Sequence, residues 1–254
     1  MGWLLAIETS AVRGSVALLR DGRVVGERVL HVPRQHNELL LGEVSALLAA
    51  ADIDSGALAA LAFGYGPGSF TGVRLAAAAA QAFAWVHEIP VFAVDCGEAL
   101  AQAAWRSSAL QLVRAGVMGG PSAARSVQEV RADERVLACV HANVLVALDA
   151  RMGQLYWLAL SAEQRHPVRG WQVVSWSHIE SECRLPERYI GIGDAWSDAR
   201  FPAAIRAGAL LVCEDAVPQA TDVGVLAWQR WCDGERPSAE QAQPLYLRGA
   251  DAWG

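Results

Sequence analysis

The sequence predicts an α/β fold with mixed sheets, arranged as two halves that follow one another along the chain. The first observation is a meander of three strands, over residues 3–9, 15–20 and 23–30. The second is the alternation of helix and strand after this meander, because such alternation adds parallel strands to a sheet. The third is a new pair of strands in the second part of the chain, over residues 144–149 and 155–160.

Each element of the first half has its own signal in the sequence. Residues 3–9 are a nearly continuous apolar run, and the next two strands meet at Asp21-Gly22, a dipeptide favoured in type I′ hairpins. A helix is predicted over residues 37–51, because its apolar residues share one stripe, namely Leu40, Leu41, Val44, Leu47 and Leu48. The remaining elements are a strand at 58–65, a helix at 71–87, a strand at 91–94 and a helical stretch at 97–106.

The second half is less regular. Its first two strands join at a turn, Arg151-Met152-Gly153, and later elements are expected as strands at 171–176 and 189–192 and a helix at 221–231. Residues 107–143 combine glycine, proline, serine and arginine with weak periodicity, so we interpret them as a junction with an insertion. The predicted domains are residues 1–106, the junction 107–143 and a smaller half at 144–254, whose helix near 221–231 packs back on the first half.

Composition and charge exclude several classes of protein. The 254 residues contain no apolar run of the length, about 18 residues, that a membrane span needs. The apolar start from Trp3 to Ile7 is cut by Glu8 and follows no basic segment, which argues against a signal peptide. Five scattered cysteines without a Cys-x-x-Cys pair are typical of reduced thiols in the cytoplasm. A net charge of −6 argues against direct binding of nucleic acid.

The most specific segment is Gly64-Tyr-Gly-Pro-Gly-Ser-Phe-Thr-Gly-Val-Arg74. Glycine adopts positive φ and proline fixes φ, so the segment must form a tight turn, with Ser69 or Thr71 capping the following helix. Such a turn serves either as a cradle for an anion or as a packing device between a strand and a helix. Its glycine spacing matches neither of the common phosphate-loop patterns.

This segment also carries a resemblance to a known family. Its core resembles the signature of the TsaB (YeaZ-type) proteins, which help to make threonylcarbamoyladenosine in tRNA. We define the signature loop as the residues Gly66, Pro67, Gly68, Ser69, Phe70, Thr71, Gly72 and Arg74. Four more segments resemble the family in the right order, namely Leu5-Ala-Ile-Glu-Thr-Ser10, Arg34-Gln-His-Asn-Glu-Leu-Leu-Leu41, residues 146–157 and Pro244-Leu-Tyr-Leu-Arg248. The five matches span nearly the whole chain.

The resemblance implies a fold and a role. The fold is two ribonuclease H-like halves of the actin/Hsp70/sugar kinase superfamily, and the role is that of a non-catalytic scaffold that binds and activates a TsaD-type transferase subunit. The implied partners are this subunit and a TsaE-type ATPase, with a homodimer in isolation and tRNA held only through the complex. No cofactor of its own is implied, since iron is expected on the TsaD-type partner and ATP or ADP at most at the complex interface.

Two alternatives stay open at this point. The first is an ATP-dependent transferase or kinase that uses Glu8, Asp149 and the signature loop, because acidic residues at strand ends hold Mg²⁺ and phosphates in related enzymes. The resemblance would make Glu8, Thr9, Ser10 and Asp149 a vestigial nucleotide cleft. Each carboxylate could instead accept hydrogen bonds from its own turn, at Ser10 and at Arg151. The second alternative is an interaction module that only forms homodimers.

The residue patterns give no support for a metal site or a covalent nucleophile. The TsaD-type family places two histidines four residues apart on one helix to hold iron, whereas His36 is followed at that spacing by Leu40. Ser69 does not lie in a Gly-x-Ser-x-Gly elbow, so the peptidase name given to some relatives has no chemical support. Gly191-Ile-Gly-Asp194 is too short to identify a nucleotide site.

The helix at 37–51 and the helix after the signature loop are the expected partner surface. Small residues on the second helix would let another helix approach closely. Because the family pairs through these two helices, the resemblance implies an interface at His36, Leu39, Leu40, Glu43, Ala76, Ala77 and Ala80. At least one leucine of the Leu39–Leu41 run is expected at the surface, since the run covers most of a helical turn.

Overall fold

A computed structural model describes residues 2–30, 36–114, 138–139, 141–164, 167–168, 170–214 and 216–247. The chain forms two compact units. Unit 1 comprises Met1–Ala99 and Val217–Gly254, and unit 2 comprises Leu100–Ala216. Within the described ranges, no helix has the length and apolar character needed to cross a membrane.

Unit 1 is built on a five-stranded mixed sheet. Its strands are β1 (Trp3–Glu8), β2 (Gly14–Arg20), β3 (Arg23–Leu30), β4 (Leu58–Gly66) and β5 (Val91–Asp95). They lie in the order β3-β2-β1-β4-β5, with the first three antiparallel and β1, β4 and β5 parallel. The turn between β2 and β3 has positive φ at both Asp21 and Gly22, as the type I′ prediction requires.

Helices cover both faces of this sheet. On one face lie α1 (His36–Ala50) and α2 (Phe70–His87), whose buried residues share one cluster with Leu5 and Ile7 of β1. The other face is covered by α6 (Ala220–Cys232), whose buried residues pack with Leu4 and Ala6 of the same strand. Alternate residues of β1 therefore point to opposite faces, which explains why this strand is apolar throughout.

Unit 2 repeats the same strand order. Its strands are β6 (Asn143–Arg151), β7 (Gln154–Leu160), β8 (Gln172–Ser175), β9 (Tyr189–Ile192) and β10 (Leu211–Cys213). They lie in the order β10-β9-β6-β7-β8, with an antiparallel meander from β6 to β8 and parallel pairing of β6, β9 and β10. Each sheet thus has the meander and parallel pair of the ribonuclease H-like fold, and the predicted fold class is confirmed.

The elements of unit 2 differ from the prediction in the length of one helix and in three short elements that were not predicted. Helix α3 (Cys96–Arg114) starts in unit 1 and runs eight residues beyond the predicted end, into the segment interpreted as a junction. The short helices α4 (Ile179–Glu182) and α5 (Ala203–Gly208) and the strand β10 are not predicted, because runs of three to six residues give no readable period. Residues 115–137 of the expected junction lie outside the described residues.

The C-terminal part of the chain belongs to unit 1. Helix α6 packs on β1 and β2, and all of residues 217–254 belong to unit 1. The sequence instead predicts that 144–254 form the second half and that only the helix near 221–231 packs back on the first. The segment after α6 also stays with unit 1. Gln81 of α2 donates to the carbonyls of Ala239 and Ala242 at 3.2 and 2.9 Å, and the Leu245 N–H donates to the Tyr65 carbonyl at 2.8 Å.

Candidate functional site

The signature loop is closed onto the end of β1. The Ser69 N–H donates to the carbonyl of Ser10 at 2.7 Å, and the Thr9 hydroxyl donates to the carbonyl of Gly72 at 2.7 Å. Both Thr9 and Ser10 are buried. The loop is thus tied to the strand by bonds that use its backbone groups.

The glycines of the loop are required by close approach of two backbones. A Cβ on Gly72 would lie 1.8 Å from the Thr9 carbonyl oxygen, and one on Gly68 would lie 2.6 Å from the Ser10 carbonyl oxygen. Atoms at these distances overlap, so no side chain fits at either position without a shift of the backbone. This geometry corresponds to the packing interpretation of the loop, because Thr9 and Ser10, the residues that follow β1, lie directly against its glycines.

Ser69 is the cap of α2. Its hydroxyl oxygen accepts the Gly72 N–H at 3.3 Å, and α2 starts at the next residue, Phe70. Gly66 has a φ of 117° and precedes a cis peptide bond to Pro67. The hydroxyl of Ser69 therefore has a structural partner in its own helix.

Glu8 is fully buried at the end of β1. Its Oε1 accepts the N–H of Ser10, and its Oε2 lies 3.5 Å from Cys96 Sγ, which also lies 3.2 Å from the Ser10 hydroxyl. A Cβ on Gly64 would lie 1.6 Å from Glu8 Oε2. The glutamate fits only because β4 has a glycine beside it, and its contacts correspond to the turn interpretation of this residue.

The same enclosure changes the acid–base chemistry of both side chains. Burial raises the pKa of the Glu8 carboxyl above its ordinary value, although hydrogen bonds from Ser10 and Cys96 act to lower it. Burial, followed by the neighbouring Glu8 charge, raises the pKa of the Cys96 thiol well above its ordinary value. Both shifts disfavour the charged form relative to a free side chain, and a thiol whose pKa is raised by burial is a poorer nucleophile than an exposed one.

Asp149 serves a turn in unit 2. Its carboxylate accepts the Arg151 N–H at 2.9 Å and pairs with the Arg151 guanidinium at 3.1 Å. The N–H of Asp149 in turn donates to the Asp194 carboxylate at 2.9 Å. Burial raises the pKa of Asp194, and the backbone hydrogen bond from Asp149 lowers it. The Gly191–Asp194 turn thus fixes the end of β6, as the Ser10 bonds fix the end of β1.

The predicted partner helices turn most of the named residues inward. Leu40 of α1 and Ala76, Ala77 and Ala80 of α2 are at most 4% exposed and belong to the core of unit 1. The expectation that these four face a partner is therefore corrected, because each helix must bury one face against its own sheet. Leu39 and Glu43 are partly buried. The side chain of His36 lies outside the described residues.

The surface of these helices is formed by other residues. Leu41 of α1 is 58% exposed, although the sequence placed it on the buried stripe. Trp85 and Val86, near the end of α2, are 65% and 76% exposed. The expectation that one leucine of the 39–41 run reaches the surface is confirmed, and we call Leu41, Trp85 and Val86 the outer apolar face.

An exposed cluster that sequence reasoning missed lies at the start of α2. The Arg74 guanidinium carbon lies 3.7 Å from the Phe70 ring centre and 5.4 Å from the Tyr246 ring centre. Arg74 Nε donates to the Tyr246 hydroxyl at 2.8 Å. We call Phe70, Arg74 and Tyr246 the arginine clamp. The resemblance of residues 244–248 to the family's Pro-x-Tyr-Leu-Arg segment drew attention to Tyr246. Nothing in the sequence, however, indicates that this segment contacts the signature loop.

Among the residues that the structure describes, no group of three or more histidine, cysteine, aspartate or glutamate side chains is arranged so that it could hold a metal ion. Of the cysteines, Cys96, Cys139 and Cys183 are buried and Cys232 is exposed.

Comparison with known proteins identifies relatives over nearly the full length. A family model described as TsaD, tRNA N6-adenosine threonylcarbamoyltransferase, matches residues 30–120. The chain is 30% identical to the tRNA threonylcarbamoyladenosine biosynthesis protein TsaB of Escherichia coli, over 98% of this chain and 96% of the relative. It is also 30% identical to the Haemophilus influenzae protein of the same name, over 98% and 95%. The solved structure of YeaZ from Pseudomonas aeruginosa matches with a TM-score of 0.76 and 31% identity, over 97% of this chain and all of the other.

Proposed function

The chain belongs to the TsaB (YeaZ-type) family, and on this premise we propose that it is a non-catalytic scaffold subunit for tRNA modification. It binds and activates a TsaD-type transferase, which transfers threonylcarbamoyl to the adenosine beside the tRNA anticodon. A TsaE-type ATPase joins the complex, and tRNA is held by the complex rather than by this chain alone. In isolation the chain forms a homodimer in the cytoplasm.

The observation that carries this proposal is the closed end of β1. An ATP-using enzyme of this fold needs an open strand end where acidic side chains and a glycine-rich turn meet phosphate and Mg²⁺. Here Glu8 is 0% exposed, and the Thr9 carbonyl occupies the space beside Gly72. Glu8 and the signature loop are committed to packing, and Asp149 is committed to its own turn, which supports a scaffold over a kinase or a transferase.

The outer apolar face supports a role in binding another protein. Its three side chains are more than half exposed, although each is large and apolar. The helices that carry it lie on the same face of the unit 1 sheet, since their buried residues share one core cluster. Large apolar side chains that are exposed mark a protein interface where they form a contiguous patch. This surface would serve either the homodimer or the TsaD-type subunit.

The experiment is a reconstitution with the cognate TsaD-type and TsaE-type proteins. We expect the TsaD-type protein to modify tRNA only when this chain is present, and the two to elute together from a sizing column. The chain alone should neither bind Mg·ATP tightly nor hydrolyse it. Full activity of the TsaD-type protein without this chain, or ATP turnover by this chain alone, would contradict the scaffold role.

A further inference from the structure

We propose that the arginine clamp is a docking point for a carboxylate side chain of the protein partner. The inference rests on the proposed function, because the partner is taken to be the TsaD-type subunit. It assigns a role to the last residue of the signature loop, which the packing of the loop against β1 does not explain. It also assigns one to Tyr246, near the end of the described chain.

The guanidinium of Arg74 is held before any partner arrives. Side chains on a helix lean towards its N-terminus, so Arg74 lies over Phe70, one turn earlier on α2. On the other side the Tyr246 hydroxyl accepts the Arg74 Nε–H at 2.8 Å. A long side chain fixed at two points has already lost much of its rotamer freedom, so less entropy is lost when it binds.

The part of the guanidinium that recognises carboxylates is still available. The hydrogen bond to Tyr246 uses Nε, and no carboxylate of the described residues pairs with Arg74. Arg74 itself is exposed. Its two terminal nitrogens therefore present N–H groups to solvent in a planar fork, which matches the two oxygens of a carboxylate.

Helix stability does not account for an arginine at this position. The N-terminal end of a helix carries partial positive charge, so a cation whose head points back over the first turn is disfavoured there. The cluster combines this unfavourable position with two large exposed rings, Phe70 at 41% and Tyr246 at 49%. A local arrangement that opposes its own helix is a common property of functional sites.

The composition of the clamp favours a protein over a nucleic acid as the source of the anion. Arginine and aromatic side chains together are enriched in the centres of protein interfaces. A nucleic acid backbone instead requires several cations to give useful affinity. The clamp contains one cation, in a chain whose net charge is −6.

The test measures the Kd of the full-length chain for the cognate TsaD-type protein. Arg74→Gln should weaken binding about tenfold or more, as expected for an interface arginine. Arg74→Lys should weaken it by at least about threefold, because lysine keeps the charge but lacks the planar fork. Arg28→Gln on the exposed strand β3 removes the same charge elsewhere in unit 1 and should leave Kd within about twofold of the parent.

If the variants melt at the same temperature as the parent, a weaker binding of the TsaD-type protein is not caused by unfolding. Equal Kd values for Arg74→Gln and Arg28→Gln, or a parent-like Arg74→Lys, would overturn the clamp. It would also be overturned if Arg74→Gln weakened only the binding of tRNA to the assembled complex. Failure of the parent chain to bind the TsaD-type protein would refute the proposed function itself and the clamp with it.

Discussion

At the scale of single residues, Glu8 is an acid enclosed by its own fold at the end of β1. Its carboxyl group is fully buried and meets Ser10, Cys96 and the bare α-carbon of Gly64. An aspartate at this place would be shorter by one methylene and would not reach as far. Glutamate here therefore fills a space between β1 and β4.

Replacing Glu8 with glutamine should remove a pH dependence of stability. Burial raises the pKa of Glu8 in the folded state above its unfolded value of about 4.3, so the folded state holds its proton more tightly. The stabilising contribution of this proton is complete below about pH 4.3 and is lost as pH rises through the folded pKa. Relative to Glu8→Gln, the parent should lose unfolding free energy with rising pH.

Urea unfolding of both proteins at several pH values measures this difference. Glu38→Gln, at an exposed position on α1, controls for the removal of one carboxylate. If the free energies of unfolding of the parent and of Glu8→Gln differ by the same amount from acid to neutral pH, Glu8 is not the buried acid described here. The same result would reopen the hypothesis that its carboxylate is charged and available to a cation.

At the scale of elements, α2 shows how burial decides which residues can form an interface. Ala77 is 4% exposed and faces the sheet, whereas Leu41 of α1 is 58% exposed. Ala77→Arg would place a charge in the core of unit 1, which costs several kcal/mol, roughly 3 or more, unless the helix moves. Leu41→Arg places the same group in solvent and should change the unfolding free energy by no more than about 0.5 kcal/mol.

The two variants should therefore behave differently in two assays. Thermal melting followed by circular dichroism should show a large loss of stability for Ala77→Arg and a parent-like melt for Leu41→Arg. Size exclusion with the TsaD-type protein should show loss of association for the folded Leu41→Arg variant. Parent-like association of Leu41→Arg would place the interface outside the outer apolar face.

At the scale of the whole molecule, unit 1 depends on both ends of the chain. The face of its sheet that includes Leu4 and Ala6 is covered by α6, more than 200 residues away in sequence. The Ala220 N–H donates to the Ser15 hydroxyl at 2.9 Å, which joins the start of α6 to β2. Without α6, this face of the sheet would expose its buried leucine, alanine and phenylalanine residues to water.

A fragment of residues 1–106 should accordingly fail to fold by itself. Its sheet would be covered by α1 and α2 on one face only, and exposed apolar surface of this size is not stable in water. A chain in which residues 1–99 are joined by a short linker to 217–254 should melt cooperatively, because it restores the whole of unit 1. A cooperative melt of the 1–106 fragment would contradict this account.

Local patterns in the chain were enough to predict most of its elements and its family. Period-two and helical patterns predicted most strands and helices within a few residues, and Asp21-Gly22 predicted its hairpin, because these signals depend on neighbours in the chain. Five ordered motifs were enough to identify the TsaB resemblance. They also brought the signature loop and its glycines to attention, although they left its role open.

The surroundings of each side chain depend on how the elements pack, and no local pattern predicts this packing. The sequence could not distinguish Leu40 from Leu41, or Ala77 from an exposed alanine, because which face of a helix is buried depends on the sheet beneath it. The sequence also did not predict the burial of Glu8, the contact of the signature loop with Thr9, or the contact of Tyr246 with Arg74. Each of these contacts joins segments that lie far apart in the chain. Burial and long-range contacts are properties of the packed molecule, so a local pattern does not contain them.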